Sequence, residues 1–199
     1  LTLPFPEADK VMSVHCHLIQ LSESKLMHLD ERDVSSMFTQ IRAVRISSYD
    51  QLRLIEEAGE PIPPLWLEKR WYNLLIFLTG ENPFTPLAEH QSTALWRSIL
   101  GGMAIGGDLG QGPARYLWNE EVREIASALA LQTRDEFRRR YDDASGHLKK
   151  IYDATMKHDS PDTTLDDAEF AWLVESARLL TAYYQTAASR GHAMLLALT

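Results

Sequence analysis

The chain has 199 residues, 45% of them hydrophobic and 24% charged. That composition excludes a disordered or fibrous protein and suffices for one buried core. Its 28 acidic residues outnumber 20 basic ones, giving a net charge of −8; such a chain repels phosphate backbones and favours a basic protein partner over nucleic acid.

The single cysteine, Cys16, allows no internal disulfide and suits the cytoplasm. No apolar run reaches the ~18 residues of a membrane span, so no membrane association is expected. A basic-then-apolar secretory signal is missing as well. Leu1 to Val11, with Pro4 and Pro6, reads as a leader or cloning remnant. Residues 12–199 read as one domain.

Val14 to Leu21 is expected to be a strand, closed by Ser22 as the N-cap of a following helix. That helix, Glu23 to Ile41, is expected to break near Asp30. Tyr49 to Ala58 reads as a second helix, ended by Gly59 and the prolines 61, 63 and 64. Leu65 to Leu78 reads as an apolar helix presenting Leu67, Trp71, Leu74, Leu75 and Leu78 on one face, stopped by Thr79 and Gly80. A polar loop with Pro83 and Pro86 follows. Ala94 to Leu100 fits strand and helix equally.

Gly101 to Gly112 holds six glycines and reads as a loop. Arg115 to Trp118 reads as a short strand, and Asn119 as the cap of a helix from Glu120 to Leu131. Thr133 and Glu136 form a capping-box pattern for a helix to about Tyr141. Asp142 to Asp162 is polar and irregular. Thr164 would cap the longest helix, Leu165 to Ser189, ended by Gly191. Ala193 to Leu198 is a final apolar strand, expected in the sheet interior beside the first strand. These elements imply a mixed α/β fold, a small mixed sheet covered by helices in three α/β/α layers.

Two segments carry a resemblance. In LEKRWYNLLIFLTG, Leu67, Lys69 and Trp71 start a helix that ends in Leu78, Thr79 and Gly80. In ILGGMAIGGDLGQGPARYL, the pair Gly101 and Gly102 precedes Gly110, Gly112, Pro113, Arg115 and Tyr116. Both resemble signatures of the YfbM-like family, a family of unknown function, and the likeness extends over about 12–199. Ile151-Tyr152 and the closing helix-Gly-strand match more weakly, and the stretch Arg45 to Pro64 aligns poorly. The resemblance implies the three-layer fold and no particular reaction. Relatives that look like neighbours of secreted toxins imply an immunity role as one expectation.

Several groups have residue types suited to chemistry. His15 and His17 share one strand face, about 7 Å apart, and are suited to zinc if a third ligand exists; half-exposed histidines on an edge strand are the plainer reading. Gly110, Gly112, Arg115 and Tyr116 are suited to a small anion or phosphate, with backbone N–H groups and a guanidinium converging. That segment is neither Walker A nor Gly-x-Gly-x-x-Gly, and a turn whose arginine binds carbonyls explains it equally. Glu68, Lys69 and Arg70 include a potential acid or base, but read more simply as a solvated flank. His147, Asp153, His158, Asp159 and Asp162 share one loop without metal-motif spacing.

Asp153, Asp159, Asp162, Asp166 and Asp167 form an acidic stretch suited to a basic protein. Trp96, Trp118 and Trp172 would anchor such a partner if exposed and are otherwise core. Cys16 has no helix N-terminus beside it to activate a thiolate. No catalytic residue, metal or cofactor is assigned. The leading expectation is a non-enzymatic protein-binding module, an immunity protein for a basic toxin. The alternative is a small-molecule or phosphate-binding protein, a cryptic enzyme, using the glycine loop and Arg115.

Overall fold

The computed structural model describes residues 15–40, 46–67, 71–80, 93–139 and 167–199. Five strands form one sheet in the order β2-β1-β5-β4-β3. They are β1 (Cys16–Ser22), β2 (Leu65–Leu67), β3 (Met103–Asp108), β4 (Pro113–Leu117) and β5 (His192–Leu198). All neighbouring strands pair antiparallel. Among the described residues a parallel contact enters through the isolated bridge between Ile46 and Leu65.

The central position of β5 follows from its sequence, HAMLLAL. Alternate residues Met194 and Leu196 face one layer while Ala193, Leu195 and Ala197 face the other, so both sides must be covered. It pairs with β1 over its whole length, from Ser22↔His192 to Cys16↔Leu198. The expected pairing of the first and last strands holds. The reading of β1 as an edge strand does not, because β2 covers its other side.

On the thinner side of the sheet lie α1 (Glu23–Met27) and α2 (Glu31–Gln40). Ser22 caps α1, its hydroxyl accepting from Lys25 N–H at 3.3 Å. The expected break near Asp30 is present. There the Asp30 carboxylate accepts from Asp33 N–H at 2.8 Å, and Asp33 accepts from Asp30 N–H at 3.2 Å. This reciprocal pair restarts the helix. Leu26, Val34 and Phe38 then close over Ile19, Leu21 and Leu195.

The thicker side holds α3 (Tyr49–Glu57), α4 (Trp71–Thr79), α5 (Ala94–Leu100), α6 (Asn119–Ala130), a helical stretch α7 over 134–139, and α8 (Asp167–Ser189). The helix expected over Leu65 to Leu78 is two elements. Leu65–Leu67 is a strand that pairs with β1, and the helix begins at Trp71. Periodicity hid the division, because the apolar run continues through both. Nor is α4 one-faced: every residue from Trp71 to Leu78 is buried, which marks a helix surrounded by others. Ala94–Leu100 resolves as helix, with Thr93 accepting from Trp96 N–H at 3.3 Å.

Much of the expected Gly101 to Gly112 loop is strand β3. The cap of α6 is Trp118, one residue earlier than expected, and Asn119 is the first helical residue. The Glu121 carboxylate reaches back to accept from Trp118 N–H at 2.9 Å. Thr133 accepts from Glu136 N–H at 3.2 Å and starts α7 as expected. The features expected within 1–14, 41–45, 68–70, 81–92 and 140–166 lie outside the described residues.

Helix α8 is tied to the sheet by polar groups as well as by packing. The Tyr183 hydroxyl donates to Leu18 O at 3.0 Å, with Pro63 O at 3.2 Å, and the Tyr184 hydroxyl donates to Ser98 O at 2.9 Å. Gln20 Nε2 donates to Tyr183 O at 3.1 Å. Burial pushes both phenol pKa values above their ordinary range, so both stay neutral donors.

Candidate functional site

The glycine-rich segment builds its geometry from close approach. Gly101 ends α5 at φ 73°. A Cβ there would lie 2.7 Å from Arg115 Cβ, and one on Gly102 would lie 2.7 Å from Tyr116 O. The Gly-Gly pair and the Arg-Tyr pair are therefore packed against each other, across the register Met103↔Tyr116 and Ala104↔Arg115. A register shift between Ile105 and Asp108 accommodates the second glycine pair.

At the end of β3, Asp108 Oδ1 accepts from both Gly110 N–H and Gly112 N–H, each at 2.8 Å. The N–H groups suited to a phosphate already hold a carboxylate of the same chain. Arg115 Nη1 donates to Gly102 O at 2.7 Å. Burial lowers the pKa of this half-buried guanidinium. The Tyr116 hydroxyl contacts Met103 Sδ at 3.3 Å, and its ring meets Trp118 edge-on at 5.2 Å. The structure thus brings the four expected ligand residues onto one hairpin, with both glycine N–H groups and one guanidinium nitrogen bonded within it.

Next to this hairpin, Arg97 of α5 bridges two carboxylates of α6. Nη1 reaches Glu121 at 2.8 Å and Nη2 reaches Glu124 at 2.7 Å. Burial opposes the charge of Arg97, but hydrogen bonds and attraction from Glu124 and Glu121 outweigh it and raise its pKa. Its geometry is that of a fork clamping two helices.

The histidine pair lies on the thinner side of the sheet. The His15 and His17 rings stand 6.3 Å apart, and His17 is stacked parallel to the Trp66 ring. His17 is buried rather than half-exposed, and its Nε2 meets Thr199 Oγ1 at 2.9 Å. Among the described residues no group of three metal-ligating side chains forms. Cys16 is buried, with Sγ 3.5 Å from Ile99 O, and burial pushes its thiol pKa far up. That is the opposite of an activated nucleophile.

Of the acidic stretch, Asp167 is described: it is exposed and pairs with Arg138 at 3.0 Å. Asp153, Asp159, Asp162 and Asp166 lie outside the described residues, as do Glu68, Lys69, Arg70, His147 and His158. Trp96 is core, while Trp118 and Trp172 are partly buried.

Two surface features had no sequence reading. On α3, Leu54 is 60% exposed. Asp50 stands one turn before it and Glu57 one turn after, on the same helix face. The second is a cleft of about 320 Å³ at the meeting of α3, α6, α7 and α8. Its lining comes from three distant stretches of chain, so no local pattern marks it.

No helix of the described residues is long and apolar enough to cross a membrane. The sequence profile of the "domain of unknown function (DUF1877)" matches residues 12–197. Among curated proteins none matches the chain. The crystal structure of YfbM from Escherichia coli, a protein of unknown function, is similar with a TM-score of 0.57 at 18% identity, over 93% of this chain and 99% of that one. At that identity the likeness speaks for the fold. Because the profile covers almost the whole length, the chain belongs to the DUF1877 family, the YfbM-like group to which its two glycine-bearing segments point.

Proposed function

We propose that the chain is a non-enzymatic module that binds a basic protein, and that within this class it acts in the cytoplasm as an immunity protein neutralising a basic bacterial toxin. The observation that carries the reading is the Leu54 surface. A large apolar side chain held 60% exposed, with Asp50 one turn before it and the exposed Arg53–Glu57 pair at 3.4 Å beside it, offers an anchor with a charged rim. The chain's net charge of −8 adds long-range attraction for a cationic partner. Filling of the glycine turn by Asp108 weighs against the alternative of a phosphate site there.

The test is titration calorimetry of the full chain against the purified products of adjacent genes. The reading expects one basic product to bind, with affinity falling as salt rises. Leu54→Ala and the reversal Asp50→Lys should each weaken it at least tenfold. If no adjacent product binds, or affinity ignores salt and both substitutions, the reading fails.

A further inference from the structure

We propose that the cleft between α6, α7 and α8 is a binding site for a small organic acid, a carboxylate carried on an apolar body. Its floor is apolar, formed by Leu129, Phe137, Val174 and Ala177. Two guanidiniums, Arg134 and Arg178, and the Gln185 amide stand in its wall, and among the described residues no carboxylate lines it. In a chain with 28 acidic and 20 basic residues, that is a local inversion of charge. At about 320 Å³ the cleft lies at the small end of ligand pockets.

The two cations differ in how they are held. The Arg178 guanidinium lies 3.8 Å from the centre of the Tyr49 ring, a stacked contact that fixes its plane while leaving its N–H edge available. Among the described residues it pairs with the exposed Glu175 at 3.7 Å, a loose pair. Arg134 is exposed and has no ion pair among the described residues. The C-terminal end of α6 also borders the cleft and contributes roughly half a unit of negative charge. Two full positive charges exceed that half charge and Glu175 together, so the wall remains net cationic. An anionic head on the guanidiniums with an apolar body over Phe137 and Leu129 satisfies both parts of the lining.

This inference is independent of the protein-binding reading and is tested separately. The full chain is titrated with 3-phenylpropionate, its neutral amide and inorganic phosphate, by calorimetry and by NMR of the arginine Nε–H signals. Saturable binding of the acid is expected, with shifts at Arg134 and Arg178, and at least tenfold weaker binding of the amide and of phosphate. Arg134→Gln and Arg178→Gln should each weaken the acid at least tenfold, and Leu54→Ala should leave it unchanged. Arg134 is exposed, so its variant carries the test even if the Arg178 variant melts early. No saturable binding of the acid, equal binding of the amide or of phosphate, or unchanged affinity in Arg134→Gln would overturn the assignment.

Discussion

Around the β3–β4 hairpin the guanidiniums meet acceptors of the same chain, Arg97 on Glu121 and Glu124 and Arg115 on Gly102 O. At the cleft Arg134 meets none among the described residues, and Arg178 has a phenol face and a loose carboxylate. The hairpin has the motif-like sequence, with paired glycines and an arginine, yet its polar groups are used in holding its own shape. The cleft has no motif, yet its two guanidiniums have no close carboxylate among the described residues. A conspicuous glycine pattern therefore reports how closely strands and turns approach; uncommitted donors over an apolar floor report where something else can bind.

That contrast can be broken at several strengths. The largest effect is expected from alkali. Tyr183, Tyr184 and Cys16 are buried, and their folded-state pKa values are raised by burial. A raised pKa in the folded state gives stability that is whole below the unfolded pKa and declines above it. Stability should fall from about pH 8.5, where an unfolded thiol ionises, and more steeply from about pH 10, where unfolded phenols do. Denaturant melts across that range should show it, and Tyr183→Phe should flatten the steeper part. A stability that does not decline with rising pH would break the picture of buried phenols held as neutral donors.

Next, Gly102→Ala places a Cβ 2.7 Å from Tyr116 O and should cost about 3 kcal/mol in urea unfolding, as overpacking against backbone does. A neutral result would mean that the glycine is there for something other than close approach. Tyr184→Phe leaves Ser98 O without its buried donor and should cost about 1–2 kcal/mol by the same measurement. Asp108→Ala removes the acceptor of two turn N–H groups at an exposed site, for about 1 kcal/mol. Phosphate added to that variant sharpens the comparison most directly. If phosphate restores its melting temperature, the turn is an anion cradle after all. Leu54→Ala, at an exposed position of α3, should change stability by less than about 0.5 kcal/mol.

What could be read ahead of the structure was whatever depends on near neighbours in sequence. Ser22, Thr133, Gly59, Gly80 and Gly191 bound their helices as expected, because a cap or a positive φ is a local demand. The long apolar β5 declared itself interior. The three-residue β2 did not, since LWL runs on into WYNLLIFL and no period separates a short buried strand from a buried helix. β3 was hidden by its glycines, which are tolerated at an edge that pairs on one side and bulges. Arg115 was found as a residue that matters, but its acceptor, Gly102 O, belongs to the other arm of the hairpin. The cleft was illegible for a plainer reason: Tyr49, Arg134 and Arg178 converge through packing of helices whose separation in sequence carries no spacing signal.

The middle strand of the sheet is the last to be translated. β1 pairs with β5 along its whole length, Cys16 with Leu198, so β1 leaves the ribosome long before its main partner exists. At roughly 5–20 residues per second the wait is on the order of ten to forty seconds. During that time β1 has only the three-residue β2 to pair with, and its apolar side chains are the kind of exposed surface that makes a nascent chain aggregation-prone. The closing step of folding joins remote segments and is slow for that reason. Emergence of β5, rather than synthesis of any one helix, is the event that lets this sheet close.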